Sequence, residues 1–192
     1  MKNILKNRRA LSTVVTTLII LVVSVLLAGV VTYFAINVVS TRVQEESLNL
    51  TYQHVWYNTT DDMAEAAIMI TNTGGRDVVL QKIAIRGQTV PSASLFYFPV
   101  TTVSDLPYVS QSPTAISNTT AIPTVFGSGT FIQPTTTATI ILPSGKTIAV
   151  YMTGDTAAPG SVTVNDVGLT IAISIFTAQA TYYKETNVNA AS

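Results

Sequence analysis

Apolar and polar positions follow two regimes along the chain. In the first, LSTVVTTLIILVVSVLLAGVVTYFAINVV, only small, hydroxyl and amide side chains interrupt the apolar ones, and the 32 residues between Arg9 and Arg42 carry no formal charge. That run predicts a single helix. At roughly 1.5 Å per residue it would measure about 48 Å, against about 30 Å of bilayer hydrocarbon. A helix apolar on all sides has to be buried on all sides, so something besides lipid must cover the excess. Charge returns with Arg42, Glu45 and Glu46 in TRVQEESLNL, and the helical regime is expected to give way between Glu46 and Tyr57.

The second regime has no helical period after residue 60. AAIMITN alternates briefly, Asn72-Thr73-Gly74-Gly75 offers turn residues suited to positive φ, and DVVLQKIAIRG follows with Val79, Ile83 and Ile85 as expected core positions. ATIILPSGKTIAVYM sets Pro143-Ser144-Gly145 between two β-branched runs and predicts a hairpin. Leu95-Phe96-Tyr97-Phe98 predicts a strand with two buried rings, and DVGLTIAISIFTAQATYYKETNV adds one or two strands with Gly168 near their start. Turn signals at this spacing suit a sandwich. The fold class is therefore α+β, a long N-terminal hydrophobic helix followed by an antiparallel β-sandwich.

Length and composition narrow the function. The 192 residues allow one ordinary domain plus an appendage, and the absence of cysteine excludes disulfides, thiolate nucleophiles and cysteine metal sites. Net charge is zero, but Lys2, Lys6, Arg8 and Arg9 all precede residue 10. Without residues 1–10, six basic residues face ten acidic ones, a balance of −4. The remainder lacks the basic stripe of a nucleic-acid binder, so no nucleic-acid partner is expected. Positive charge ahead of an apolar run keeps that end cytoplasmic and sends everything after about residue 43 outside.

The basic block stops abruptly at Ala10-Leu11. A secretory signal would have an apolar core of about 7–15 residues ending in a small-x-small site. Here the core is twice too long and Val38-Val39-Ser40 is a mediocre ending. A plain signal anchor fits the hydropathy but leaves the Arg-Arg-Ala-Leu junction and the extra length unexplained. With KNRRALSTVV and the apolar run behind it, the chain resembles archaeal type IV pilins and the related archaellins, whose precursors carry a class III signal peptide. The pairing of NTGGRDVVLQKIAIRG with LPSGKTIAVYM likewise resembles their immunoglobulin-like outer domain. The resemblance implies a cleavage site at Arg8, Arg9, Ala10 and Leu11. It divides the chain into a leader at 1–10, a filament-core helix at 11–50 that spans the membrane in the precursor, and an extracellular β-sandwich at 51–192. It also implies partners: identical subunits in a homopolymer, a prepilin peptidase and assembly machinery, and the membrane before assembly. One departure favours the archaeal branch. The acidic residue that bacterial type IV pilins carry near the mature N-terminus is absent, since the fifth mature residue would be Val15.

The expectation is thus a structural subunit of an extracellular pilus-like filament, serving surface adhesion, with no cofactor and no enzyme activity. The alternatives are an archaellin of a motility filament and a monomeric, membrane-anchored binding module. At about 100° per residue, Thr13, Thr17, Ser24, Ala28 and Ala35 share a sector about 60° wide that would let helices approach closely, although Ile20 and Val31 fall in or near it. Three sequons, at Asn49, Asn58 and Asn118, are glycosylation candidates in an exported chain. Asn118 leads, because it lies in polar loop sequence where 16 of residues 101–140 are Ser or Thr and Asp105 is the single charge. The lone histidine, His54, reads as a packed junction residue, and Asp61, Asp62 and Glu65 as a solvated acidic turn. Gly127-Ser128-Gly129 lacks the spacing of a nucleophile elbow.

Overall fold

A computed structural model describes residues 4–43, 45–109, 116–134, 139–154 and 162–191, with the side chains of 4–10, 42, 43 and 154 outside the description. The chain forms two units, residues 1–44 and 45–192. The first is helix α1, Ile4–Val43. The helix ends before the expected boundary at residue 50. Leu48, Asn49 and Leu50 already belong to a strand.

The second unit holds β1 (Leu48–Asn58), β2 (Met63–Asn72), β3 (Val78–Ile85), β4 (Gln88–Thr89), β5 (Leu95–Val100), β6 (Ile140–Leu142), β7 (Thr147–Gly154), β8 (Thr170–Thr177) and β9 (Thr181–Ala191). Hydrogen bonding runs through them in the order β4-β3-β8-β9-β1-β2-β7-β5, with β6 added to β3. All pairs are antiparallel except β1 with β9, which run parallel from Val55–Asn58 against Val188–Ala191. That short parallel seam joins what would otherwise be two separate sheets. Ile83 and Ile85 on β3 nevertheless share one buried cluster with Ile68 and Ile70 on β2 and Val150 and Met152 on β7, strands far apart in the order. Strands that are not neighbours share a core only if the sheet curls. The unit is therefore a curled half-barrel built on one continuous path of hydrogen-bonded strands.

Two irregularities set which residues face that core. In β1, Leu48 and Leu50 are buried and so are Val55 and Tyr57, an even-to-odd switch made by a bulge between Thr51 and His54 with Tyr52 at φ 50°. In β3 a second bulge, between Leu80 and Lys82, lets Val78, Leu80, Ile83 and Ile85 all point inward. The expected core position Val79 is therefore only half-buried, while Ile83 and Ile85 are buried as expected. The predicted hairpin at Pro143-Ser144-Gly145 is a turn but not a hairpin. Its two arms part, β6 pairing with β3 and β7 with β2 and β5.

The other face of β2, β7 and β5 is covered by the chain itself. Phe96 and Phe98 on β5, Met69 on β2 and Tyr151 on β7 form a second buried cluster with Leu106, Ile116, Ile122, Phe126 and Phe131 from the long β5–β6 connection. Phe98 sits at its centre, 5.5 Å from Phe126, 5.2 Å from Phe131 and 6.0 Å from Tyr151 between ring centroids. The described parts of the Ser/Thr-rich connection thus form a packed cap, and the two buried rings expected in LFYF anchor it.

Candidate assembly interface and its junction

From Leu11 to Thr41 the helix is long and apolar enough to cross a membrane, and every side chain is exposed. Those 31 residues measure about 46 Å at roughly 1.5 Å per residue. Five of the hydroxyls on this surface are satisfied within the helix. The hydroxyls of Thr16, Thr17, Ser24, Thr32 and Thr41 donate to the carbonyls of Ser12, Val14, Ile20, Ala28 and Asn37 at 2.7–2.9 Å. Such back-bonding lets hydroxyl residues lie in apolar surroundings without an external partner. The predicted packing residues Thr13, Thr17, Ser24, Ala28 and Ala35 are all exposed along the helix. Of the predicted cleavage residues, Leu11 is exposed, whereas the side chains of Arg8, Arg9 and Ala10 lie outside the described residues.

The chain enters the β unit through a backbone clamp. Thr73 and Gly74 both donate their N–H groups to the Ser47 carbonyl, at 2.9 and 3.1 Å, and the Thr73 hydroxyl lies 2.9 Å from Ser47 Oγ. A Cβ on Gly74 would meet the Glu45 carbonyl oxygen at 2.7 Å and the Ser47 nitrogen at 2.8 Å. Gly74 is thus required for close approach and not, as its place in NTGG had implied, for positive φ. Asn72, fully buried, organises the turn. Its Nδ2 donates to the Arg76 and Leu142 carbonyls at 2.8 and 3.0 Å and its Oδ1 accepts from Gly74 N–H at 3.0 Å. Thr177 Oγ1 also donates to Glu46 Oε1, tying the segment to the end of β8.

The remaining candidates separate by burial. Asn49 is exposed on β1, Asn118 is exposed in a turn, and Asn58 is buried. Asn58 Nδ2 donates to Asp61 Oδ2 at 2.9 Å and lies 3.4 Å from the Tyr108 hydroxyl, while its Oδ1 accepts from Thr60 N–H. His54 stacks on Trp56 at 5.0 Å and bonds Asp105 at 2.7 Å, a packed residue that ties the cap to β1. The acidic trio is not one solvated turn. Glu65 is 0 % exposed, on β2, with its Oε1 accepting the Val109 N–H at 2.9 Å, and only Asp61 and Asp62 lie in the turn. Beside it the Tyr151 hydroxyl donates to the Pro107 carbonyl at 3.0 Å, and burial drives that phenol far above the ordinary tyrosine range, so it stays a neutral donor.

One pair escaped the sequence reading altogether. Arg86 makes a two-pronged bond to Asp166, at 2.7 and 3.0 Å, while Asp166 accepts the Thr163 N–H at 2.8 Å. The Arg86 bond, with help from Thr163, holds the Asp166 carboxyl below its ordinary pKa. No sequence signal links residues 80 positions apart. Among the described residues no group of three His, Cys, Asp or Glu is placed to hold a metal ion.

The fold and this surface define an α+β chain with one apolar N-terminal helix of membrane-crossing length and a separately packed β unit. No protein-family model matches the chain, and no curated protein matches it.

Proposed function

We propose that the chain is the precursor of a type IV pilin-like subunit of the archaeal class. Residues 1–10 are removed, the helix from Leu11 packs into the core of an extracellular filament, and an outer domain of immunoglobulin-like kind coats it, serving surface adhesion. One observation carries this reading: a helix exposed on every side for about 46 Å, on which five hydroxyls, of Thr16, Thr17, Ser24, Thr32 and Thr41, are bonded to the helix's own carbonyls. Identical helices would bury all of it, including the length a bilayer cannot cover. The partners are copies of the same chain, the peptidase that cuts at Ala10-Leu11, and the assembly machinery.

Electron microscopy of cell-surface filaments, with intact-mass measurement of their subunit, tests this. The expected mass begins at Leu11. Because the contacts are apolar, detergent should dissolve the filaments while high salt should not. A mass that includes Met1 to Ala10 refutes processing. It would favour the second reading, a membrane-anchored binding module, for which the same helix serves as a single span. An archaellin shares every one of these features, and a swimming defect on deletion would identify it.

A further inference from the structure

We propose that Asn118 is the N-glycosylated residue of the outer domain and that Asn58 is not. This rests on the reading that the chain beyond the helix is exported. Ser117 to Thr120 form a turn closed by the Thr120 N–H to the Ser117 carbonyl at 3.0 Å. Ile116 and Ile122, both buried in the cap, hold the turn from either side, and the next residues are pinned by Ile122 N–H to the Gly129 carbonyl and Phe131 N–H to the Thr120 carbonyl. Asn118 therefore stands at the tip of a rigidly anchored, exposed turn. Its amide makes no hydrogen bond among the described residues. The sequon threonine, Thr120, uses its hydroxyl oxygen to accept the Ser117 N–H at 2.9 Å, which keeps the turn in shape.

The chemistry needs an accessible amide. Asn118 Nδ2 would attack the anomeric carbon of a polyprenyl-phosphate-linked saccharide. The C–N bond forms, the C–O bond to phosphate breaks, the phosphate leaves with the electron pair, and one amide proton passes to base. At Asn58 the same atom is buried and already committed to Asp61 and Tyr108. Whether transfer precedes or follows folding, a sugar there would have to displace the segment that carries Tyr108. Asn49 is exposed but lies within strand β1, paired in the ladder opposite Thr71, and not at the tip of a turn. The cap also has a use for a sugar. Val103, Val125 and Ile132 are exposed there, and Asp105 is its single charge.

The full-length protein is purified from the cells that make it and digested with trypsin. The peptide Gly87–Lys146 contains Asn118 and no other sequon, whereas Val43–Arg76 contains both Asn49 and Asn58. The first should carry a saccharide mass that Asn118→Gln abolishes and Thr120→Ser retains, and fragmentation of the second should find Asn58 bare. In parallel, a separate sample of intact cells is treated with a membrane-impermeant amine reagent and read for labelling at Lys184, which is exposed and lies outside that peptide. A bare Gly87–Lys146 in chains that become labelled overturns the glycosylation proposal and leaves export standing. Chains that stay unlabelled overturn export and the proposal with it. A sugar on Asn58 overturns the selection by burial.

Discussion

Gly74→Ala should destabilise the β unit by about 3 kcal/mol. The new Cβ would sit 2.7 Å and 2.8 Å from two backbone atoms, of Glu45 and Ser47, so no flexible side chain can absorb the clash. Overpacking of this kind costs about 1–3 kcal/mol. Pushing residues 45–47 away also weakens the bonds from the Thr73 and Gly74 N–H groups to the Ser47 carbonyl, each worth about 1 kcal/mol. The stiffer unfolded chain returns only about 0.4–1 kcal/mol. For a unit of this size, about 3 kcal/mol lowers Tm by roughly 6–12 °C. Trp56 is the single tryptophan and lies on β1, so its fluorescence in the full-length protein in detergent follows the β unit alone. Gly129→Ala is the control, because its Cβ would meet only Ile122 Cδ1 at an ordinary 3.5 Å, and it should change stability by less than about 0.5 kcal/mol. If Gly74→Ala melts with the wild type, the chain does not pass that closely over residue 74 and the clamp is wrong.

Phe98→Ala should cost about 3–5 kcal/mol in urea unfolding, since the ring is buried against Phe126, Phe131 and Tyr151; a loss below about 1 kcal/mol would mean the cap is not packed on β5. Asp166 is held below its ordinary pKa of 3.8, so its pairing with Arg86 contributes stability that is full above that value and lost as pH falls through the lower folded-state value. Arg86→Met should therefore cost about 1–2 kcal/mol at pH 7, and the gap to wild type should close well below pH 3.8; a gap that persists at the lowest pH would assign the cost to something other than this pair. On the filament proposal, Val22→Asp places a charge mid-helix and should abolish filaments with the Trp56 melting temperature unchanged; normal filaments from this variant would show that the helix is not their core.

What was legible in the sequence was what repeats. The apolar helix shows in an unbroken run, and Ile83, Ile85, Phe96 and Phe98 follow the two-residue alternation of a strand. Alternation fails where a bulge adds a residue, which is why Val79 was misplaced. Pairing fails differently. Pro143-Ser144-Gly145 does turn the chain, with Gly145 at φ 72°, but a turn says nothing of which strands its arms will find, and here they go to opposite halves of the sheet. The Ser/Thr-rich composition of 101–140 hid its cap because Leu106, Ile116, Ile122, Phe126 and Phe131 are spaced irregularly, fitting a surface that only the folded sheet provides. Glu65 and Arg86 carry charge, and charge in sequence reads as exposure until a distant partner, Val109 or Asp166, is brought beside it.

The two units divide the physical work in a way that bears on assembly. The β unit spends its polar groups on distant partners, such as Asn72 with Leu142 and Arg86 with Asp166, so its structure is fixed by contacts that exist only when it is folded. The helix bonds the hydroxyls of Thr16, Thr17, Ser24, Thr32 and Thr41 to carbonyls three or four residues back, so these groups ask nothing of their surroundings. A helix of the second kind can exchange lipid for protein neighbours without breaking those five bonds. On the filament proposal the difference in free energy between membrane and filament then comes chiefly from packing, from how closely the small residues at Thr17, Ser24, Ala28 and Ala35 let neighbouring helices approach and from the helix length that lipid leaves uncovered. Widening one of those positions, as in Ala28→Leu, would act on assembly while leaving the precursor's membrane insertion and the fold of the β unit intact.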